Sequence, residues 1–210
     1  MNDLLEFKIK LFEKLKLYAD PRPFVCDGNP LDCNIFIVGI NPATKMEMNF
    51  ENFWNEDGFD KQKWIEAYKN ERANAPLKAG KKKRILVSPT RRSIDHILKH
   101  ITIGKVLETN LYIKQTKEAH ELKKKDKKTD IFEFLIQEIK PKIVVLHGKS
   151  VKDFFRKNYD DRLSDDDFTE ININKFRSLA YATTHLSRGW SFEKLEELGK
   201  RIDNKIKEKA

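Results

Sequence analysis

An apolar segment that ends abruptly in a turn constrains this chain most. Residues 34–40 read Asn-Ile-Phe-Ile-Val-Gly-Ile, and Asn41 and Pro42 follow directly. A continuous apolar run is typical of a strand that is buried on both faces of a parallel sheet. Gly39 lets a ligand approach the backbone closely, and Pro42 keeps Asn41 out of the helical region. The segment therefore predicts a central strand that ends at Gly39 and Asn41, where open α/β sheets bind ligands.

Helical and extended patterns alternate along the rest of the chain. Apolar runs predict strands at 106–113, 142–148, 168–173 and 178–184, with the first of these ending near Asn110. Amphipathic segments predict helices at 3–18, 89–99, 130–139, 150–158 and 192–207, and one more that begins near Asp60. This alternation predicts an α/β fold, a single three-layer α/β/α domain over residues 1–210 with a mostly parallel sheet of about four strands.

The charge of the chain bears on its partner. The 210 residues carry a formal net charge of +9, and the pI is about 9.3. Such a field favours a polyanion, with nucleic acid first among the candidates, although a Lys-rich surface also serves solubility alone. No apolar run approaches the ~20 residues that a membrane span needs, and the N-terminus lacks the apolar core of a signal peptide. We therefore expect a cytoplasmic protein that is a monomer and does not bind a membrane.

Cys26 and Cys33 are the only two cysteines in the sequence. Two thiols cannot complete a four-cysteine zinc site or hold an iron–sulfur cluster. In a cytosolic protein they are expected to stay reduced. On this basis we expect free thiols near the first strand, no metal and no cofactor.

Polar side chains follow three of the predicted strands. Asn41, Asn110 and His185 come at the ends of the first, second and last strand. Because the carboxyl ends of parallel strands meet at one edge of a sheet, these side chains are expected to converge on a ligand site. Each also has a simpler role, since a strand-end Asn can bond nearby backbone and a lone His is often a satisfied polar residue. The four other histidines, including His147, are expected to be satisfied residues of that kind.

Several motifs, in this order, resemble those of the uracil-DNA glycosylase superfamily. Residues 39–43, Gly-Ile-Asn-Pro-Ala, are similar to the Gly-x-Asn-Pro-Gly motif of its mismatch-specific and single-strand-selective branches. Residues 52–54 resemble an Asn-x-Phe-Trp element of the mismatch-specific branch, and 109–111 resemble the strand end that supplies a base-reading Asn. Residues 140–149 are similar to the family's Pro, apolar strand and Gly segment, and 184–190 lie where its His-Pro-Ser-type motif occurs.

The sequence departs from the family pattern at four places, one of which is a gap between Asn41 and Asn52 that is shorter than in the mismatch-specific branch. Ala43 stands where the first motif has Gly, and Leu186 stands where the second motif has Pro. A basic excursion at about 58–84 has no counterpart. These departures leave open which base would be the substrate.

The resemblance implies a monofunctional hydrolase that cleaves the N-glycosidic bond of uracil, or of a related damaged or mismatched base, in DNA. Asn41 would orient the attacking water through its amide oxygen. His185 would donate a hydrogen bond to O2 of the departing base. Asn110 would read the base through its amide, and Phe50 would stack on it. The base-binding set is then Gly39, Ile40, Phe50 and Asn110.

The same resemblance implies contacts with single-stranded DNA or with a duplex whose target base is flipped out. A base in a duplex must leave the stack before it can react. Leu186 would act as a wedge in the stack, while Ser187 and Arg188 would hold flanking phosphates. Further DNA contacts are expected from exposed basic residues, namely Lys81, Lys82, Lys83, Arg84, Arg91 and Arg92.

Two other interpretations stay open. The chain could be a weak or inactive superfamily member that binds nucleic acid or a nucleobase, which the changes at Ala43 and Leu186 favour. It could also be another nucleotide-binding α/β enzyme, although no strand is followed by a Gly-x-Gly-x-x-Gly or Walker loop. Catalysis predicts a uracil-sized cavity around Asn41, Asn110 and His185, whereas a cavity filled by Phe50 or Met48 favours the binding module.

Overall fold

The structure is a computed structural model that describes residues 3–77, 80 and 82–209, so Lys81 lies outside the described residues. The strands are β1 (Phe24–Val25), β2 (Ile35–Gly39), β3 (Trp54–Asn55), β4 (Gly58–Phe59), β5 (Val106–Asn110), β6 (Ile143–His147), β7 (Phe168–Ile173) and β8 (Phe176–Thr183). The helices are α1 (Asp3–Leu15), α2 (Lys61–Asn74), α3 (Pro89–Leu98), α4 (Asp130–Ile139), α5 (Lys149–Asn158) and α6 (Phe192–Glu208).

The central sheet has six strands in the order β1-β5-β2-β6-β8-β7. Its inner strands β5, β2, β6 and β8 are mutually parallel, whereas β1 and β7 pair antiparallel at the two edges. The predicted α/β class with a mostly parallel sheet is confirmed. The sheet is larger than the expected size of about four strands. The two-residue strand β1 was not predicted because it is too short to show a periodic pattern.

Helices cover both faces of the sheet, which makes the domain three-layered. In β2, Phe36 and Val38 belong to the apolar cluster that contains buried residues of α1, α4 and α5. Ile35 and Ile37 face the opposite cluster, formed with α3 and α6. All residues of β2 are buried because both of its faces are covered. This explains the continuous apolar run in the sequence.

Side-chain caps begin three of the helices. Asp60 accepts a hydrogen bond from the Lys63 backbone N–H at 2.9 Å, as the sequence predicts. Ser191 caps α6 in the same way, with 3.3 Å to the N–H of Lys194. Ser88 caps α3, in which Pro89 occupies the first turn. The caps fix where α3 and α6 start, and α6 begins close behind His185 in the chain.

The basic excursion at about 58–84 contains β4 and α2 and is partly built into the core. Trp64 and Tyr68 of α2 are buried and stack on each other with ring centroids 5.2 Å apart. Lys82 and Arg84 are exposed. Among the helices that the structure describes, none combines the length and apolar character needed to span a lipid bilayer.

Candidate functional site

The carboxyl ends of the four parallel strands bring polar residues to one edge of the sheet. Gly39 of β2 pairs in register with Asn110 of β5. His147 of β6 pairs with Thr183 of β8, and His185 follows two residues after Thr183. The predicted strand-end residues Asn110 and His185 are therefore at the same edge, and His147 ends β6, which lies between β2 and β8.

Gly39 is the point at which two of these side chains meet. A Cβ atom at position 39 would lie 2.7 Å from Oδ1 of Asn110 and 3.0 Å from Nε2 of His147. The first distance is shorter than real Cβ contacts and the second is tighter than nearly all of them, so a side chain at this position would have to shift the polar groups. The absence of a side chain at Gly39 thus keeps an acceptor of Asn110 and a ring nitrogen of His147 directed at the same place.

His147 is a site residue that the sequence interpretation missed. It is only 6% exposed, and its Nδ1 is buried without a hydrogen-bond partner among the described residues. Burial lowers its pKa to about 3, and the neighbouring His185 contributes to the shift. The ring is therefore neutral at pH 7. The expectation that His147 is a satisfied polar residue is wrong, because its Nδ1 has no hydrogen-bond partner among the described residues. Leaving such a nitrogen buried costs about 1–3 kcal/mol of stability.

His185 is held in one orientation by the residue two positions later. The backbone N–H of Ser187 donates to Nδ1 of His185 at 3.2 Å, and the Ser187 hydroxyl lies 2.8 Å from the same nitrogen. Because the backbone group can only donate, Nδ1 is the acceptor and the neutral ring carries its proton on Nε2. Burial lowers the pKa of His185, and the positive charge of Arg188 acts in the same direction. The ring thus presents a neutral Nε2–H donor.

Asn41 has a fixed amide orientation. Its Nδ2 donates to the hydroxyl oxygen of Thr116 at 2.8 Å, to the Thr116 carbonyl at 3.1 Å and to the Pro42 carbonyl at 3.3 Å. The Thr116 backbone N–H in turn donates to the Pro42 carbonyl at 3.2 Å, which joins the loops after β2 and β5. Since the NH₂ group is engaged by oxygens, Oδ1 is the end of the amide that these loops leave available.

Phe50 lies in an aromatic cluster as well as at a cleft. It is 7% exposed and contacts Phe24 and Phe59, with ring centroids 5.1 Å and 5.4 Å apart. It also lines a cleft of about 240 Å³ together with Phe12, Tyr18, Arg22, Met46 and Gln115. A second cleft, of about 280 Å³, is lined by Tyr181, Thr184, Trp190, Lys194 and Arg201. Neither of these clefts is lined by Asn41, Asn110 or His185.

The roles of Ile40 in base binding and of the exposed basic residues in DNA binding stay predictions. Ile40 is half-buried, and its carbonyl accepts a hydrogen bond from the Tyr112 N–H at 3.0 Å. Arg92 and Arg188 are exposed, as Lys82 and Arg84 are. A side chain must be accessible to contact DNA phosphates, and these four cations are accessible.

Leu186 does not form an exposed wedge. It is 1% exposed and belongs to the apolar cluster of α3 and α6, and its carbonyl accepts a hydrogen bond from the Ser93 hydroxyl at 2.7 Å. The loop after His185 therefore turns inward at Leu186. The prediction of a wedge is wrong for this conformation, because an exposed apolar side chain would give up its packing against both helices.

Arg91 is part of the core rather than of a DNA-binding surface. Its side chain is 7% exposed and forms ion pairs with Asp95 at 3.1 Å and with Glu108 of β5. Lys61 reaches the same Glu108 at 3.2 Å. Burial alone would raise the pKa of Glu108, but the two cations hold it below its ordinary value. The prediction that Arg91 contacts DNA is wrong, because its charge is used to neutralise a buried carboxylate.

Comparison with known proteins adds no relative from which a role could be transferred. No model of a known protein family matches the chain, and no curated protein matches it. The likeness to uracil-DNA glycosylases therefore rests on the motifs and on the residues that they bring to the sheet edge.

Proposed function

We propose that the protein is a monomeric, cytoplasmic DNA glycosylase that hydrolyses the N-glycosidic bond of uracil or of a related base. The observation that supports this most directly is the pair of polar atoms at Gly39. Oδ1 of Asn110 and Nε2 of His147 both lie within about 3 Å of the position that a side chain there would take. A flat base that approaches this edge can meet both groups because Gly39 has no side chain.

In the proposed reaction, the bond between C1′ of the sugar and the base breaks and water adds to C1′. The electron pair of the broken bond leaves with the base, and the water proton passes to the base or to solvent. Asn41 cannot take up that proton at neutral pH, but its Oδ1 can accept a hydrogen bond and hold the water in place. The anchoring of its Nδ2 by Thr116 supports this role.

Stabilisation of the departing base falls to His185. Negative charge develops on O2 of the base as the bond breaks, and a donor aimed at this oxygen typically contributes a few kcal/mol. The Nε2–H of His185 suits this role because Ser187 occupies Nδ1. Its lowered pKa keeps the ring neutral at pH 7, so the donor does not depend on a charged imidazolium.

Base selection is assigned to Asn110. Uracil presents the N3–H donor and the O4 acceptor side by side, and an Asn amide can match both. The Oδ1 of Asn110 near Gly39 would accept from N3–H, while its Nδ2 would donate to O4. Cytosine presents the opposite order of donor and acceptor, so an amide in this orientation would reject it.

Binding of DNA is supported by the net charge of +9 and by exposed cations such as Arg92 and Arg188. Leu186 is buried, so the described conformation offers no wedge at that position for opening a duplex. Single-stranded or mismatched DNA, in which the base leaves the stack at lower cost, is therefore the favoured substrate.

A binding module without catalysis is the second candidate. It is favoured by the position of Asn41, whose amide contacts Thr116 rather than Asn110 or His185. It is also favoured by Ala43, which replaces the Gly of the resembled motif. Such a protein would recognise a nucleobase through Asn110 and His147 but would not place a water at the sugar.

Release of uracil tests the two candidates. Wild-type protein, Asn41→Ala and His185→Ala are incubated with single-stranded DNA and with duplexes that carry uracil opposite adenine or guanine, and abasic sites are quantified. We expect both variants to lose at least about 10-fold in rate, as is typical when a transition-state donor is removed. His120→Ala, an exposed histidine elsewhere, serves as the matched control. Salt-sensitive DNA binding without any product would favour the binding module.

A further inference from the structure

A group of side chains that could bind a metal lies between α3 and α6, and it includes none of the residues to which the proposed reaction assigns a role. His96 lies on α3, His100 follows two residues after its end, and Glu196 lies on α6. One ring nitrogen of each histidine and one carboxylate oxygen of Glu196 lie within 4.8 Å of one another. The Nε2 of His100 is 3.9 Å from Oε2 of Glu196.

The two histidines face the same side because they are four residues apart. Lys99, at the end of α3, still has helical dihedral angles, with φ −62° and ψ −21°. The spacing of four residues therefore directs both rings toward α6. Their ring centroids are 5.3 Å apart.

Gly199 explains why Glu196 comes close enough to join them. A Cβ atom at position 199 would lie 2.6 Å from the Ile97 carbonyl oxygen and 2.8 Å from Cβ of His100. Any larger residue would separate the two helices at this point. The glycine thus brings the turn of α6 that carries Glu196 against the end of α3 that carries His100.

The group also has an unsatisfied nitrogen. Nε2 of His96 is buried and has no hydrogen-bond partner within the described part of the chain. Phe192 of α6 stacks on the His96 ring, with centroids 4.7 Å apart, and restricts its rotation. A buried nitrogen without a partner requires an explanation, and a bound ion provides one.

Glu196 is positioned to contribute one oxygen. Its Oε1 accepts a hydrogen bond from Lys200 at 2.6 Å, whereas its Oε2 faces His100. The ion pair with Lys200 leaves Oε2 available as a ligand.

We propose that His96, His100 and Glu196 bind a divalent transition-metal ion, with Zn²⁺ as the best-suited one. Two imidazoles, one carboxylate and a water complete the tetrahedral coordination that zinc adopts in proteins. Because Phe192 holds the His96 ring, the 4.8 Å spread would close to the shorter spacing of zinc ligands through movement of His100 and Glu196. The ion would tie α3 to α6 and so stabilise the folded chain.

This site differs from the zinc and iron–sulfur sites excluded on the number of cysteines. Cys26 and Cys33 are free and buried and take no part in it. The expectation of no metal considered thiolate sets, whereas imidazole and carboxylate donors form this group. The proposal is independent of the proposed glycosylase activity, because none of its three ligands is assigned a role in the reaction.

Thermal unfolding of the 210-residue chain, after treatment with a chelator and dialysis, tests the proposal. We expect Zn²⁺ at a hundredfold excess over its Kd to raise the Tm by about 5 °C or more. Mg²⁺ should produce no shift, because it prefers oxygen ligands in octahedral geometry. His100→Ala and Glu196→Gln should each weaken Zn²⁺ binding at least about 10-fold, as measured by titration calorimetry. His120→Ala, which removes an exposed histidine elsewhere, should keep the wild-type shift.

Cobalt substitution gives a readout that does not require variants. Co²⁺ bound to the wild-type protein should show the visible absorption of tetrahedral coordination, without the charge-transfer band of a thiolate ligand. A Zn²⁺ shift that is unchanged in Glu196→Gln and His100→Ala would overturn the proposal. So would a wild-type protein that shows neither a Zn²⁺-dependent Tm nor a tetrahedral Co²⁺ spectrum. If His100→Ala does not fold, Glu196→Gln and the spectrum decide the outcome.

Discussion

The imidazole rings of His147 and His185 lie edge to face, with centroids 5.0 Å apart and an angle of 80° between the ring planes. Burial lowers the pKa of both rings, and a charge on His185 further lowers that of His147. The folded protein therefore holds both rings neutral at pH 7. Protonating His147 would place a cation in a buried site next to a second imidazole, whereas His185 is more exposed and its pKa is lowered less strongly.

Because His147 is held neutral, the free energy of unfolding should depend on pH below about 6.5. The folded-state pKa of His147 is about 3, compared with an ordinary value of 6.5. Between these values the unfolded chain binds more protons, so the free energy of unfolding decreases as pH falls below 6.5. One proton accounts for up to about 1.4 kcal/mol per pH unit.

We expect His147→Asn to flatten this dependence. Urea unfolding at pH 5.0 to 6.5 avoids most of the range in which Asp and Glu titrate, and the slope should fall by up to about 1 kcal/mol per pH unit. His120→Asn should follow the wild-type curve because His120 is exposed. Parallel curves for wild type and His147→Asn would show that His147 is not held neutral by burial.

Thr116 is expected to act as a positioning residue for Asn41. Thr116→Val removes the hydroxyl acceptor, which lies 2.8 Å from Nδ2 of Asn41, but leaves the backbone acceptor in place. The amide would then be less firmly oriented, and we expect kcat for base release to fall roughly 5- to 10-fold with little change in KM. Single-turnover kinetics on uracil-containing single strands measures the effect.

Thr116→Ser provides the matched control because it restores the hydroxyl. The hydroxyl also donates to the Glu118 carbonyl at 2.9 Å, so the valine variant loses a second hydrogen bond. Recovery of kcat in the serine variant would assign the loss to the acceptor for Asn41. Equal activity in wild type and Thr116→Val would contradict a catalytic orientation of Asn41.

Gly39→Ala is expected to close the proposed base site. Its Cβ would lie within about 3 Å of Asn110 Oδ1 and His147 Nε2, so both groups would have to move. We expect at least a 10-fold loss of activity, since one bidentate base contact is worth about 1–3 kcal/mol. The control is Ala75→Ser, a change at an exposed position directly after α2, which should retain activity. Retained uracil release by Gly39→Ala would place the base elsewhere.

The sequence was sufficient for features that depend on local pattern. The apolar run before Gly39 predicted a strand covered on both faces, and the amphipathic patterns predicted helices that begin near Asp60 and at residue 192. The parallel arrangement then follows from alternating strands and helices. Asn110 and His185 could be assigned to one edge of the sheet on that basis alone.

Features that depend on which elements pack together could not be predicted in this way. In the sequence, His147 is only the last residue of an apolar strand, and its neighbours Gly39 and His185 come from other strands. Leu186 is apolar, which suits a wedge and a core position equally, and only the packing of α3 on α6 decides between them. The metal-binding trio was likewise hidden, because Glu196 is about a hundred residues from His96.

The burial of Arg91 could have been predicted from one feature of the sequence. Glu108 interrupts an otherwise apolar part of β5, and a carboxylate inside a parallel sheet requires a buried cation. Arg91 and Lys61 supply that charge. The adjacent Arg91 and Arg92 therefore differ in function, although the sequence gives them equal standing as DNA contacts.

This pair allows a final prediction in which one residue serves as the control for the other. Arg91→Met leaves Glu108 without its main partner, and breaking a buried ion pair typically costs about 3–5 kcal/mol. Arg92 is exposed, so Arg92→Met should change the free energy of unfolding by less than about 0.5 kcal/mol. If Arg92 contacts a phosphate, its loss should reduce the slope of log K against log salt by about 0.7 for a single strand.

Urea unfolding measures the effect on stability. DNA binding at several salt concentrations, measured on folded protein, gives the effect on phosphate contacts. Arg91→Met should be the less stable variant with a wild-type salt slope, and Arg92→Met should show the reverse. Arg91→Lys keeps the charge, but its ammonium cannot span Asp95 and Glu108 in the way the guanidinium does, so intermediate stability is expected. If Arg91→Met instead reduced the salt dependence of DNA binding and left stability unchanged, Arg91 would be a DNA contact and not a core residue.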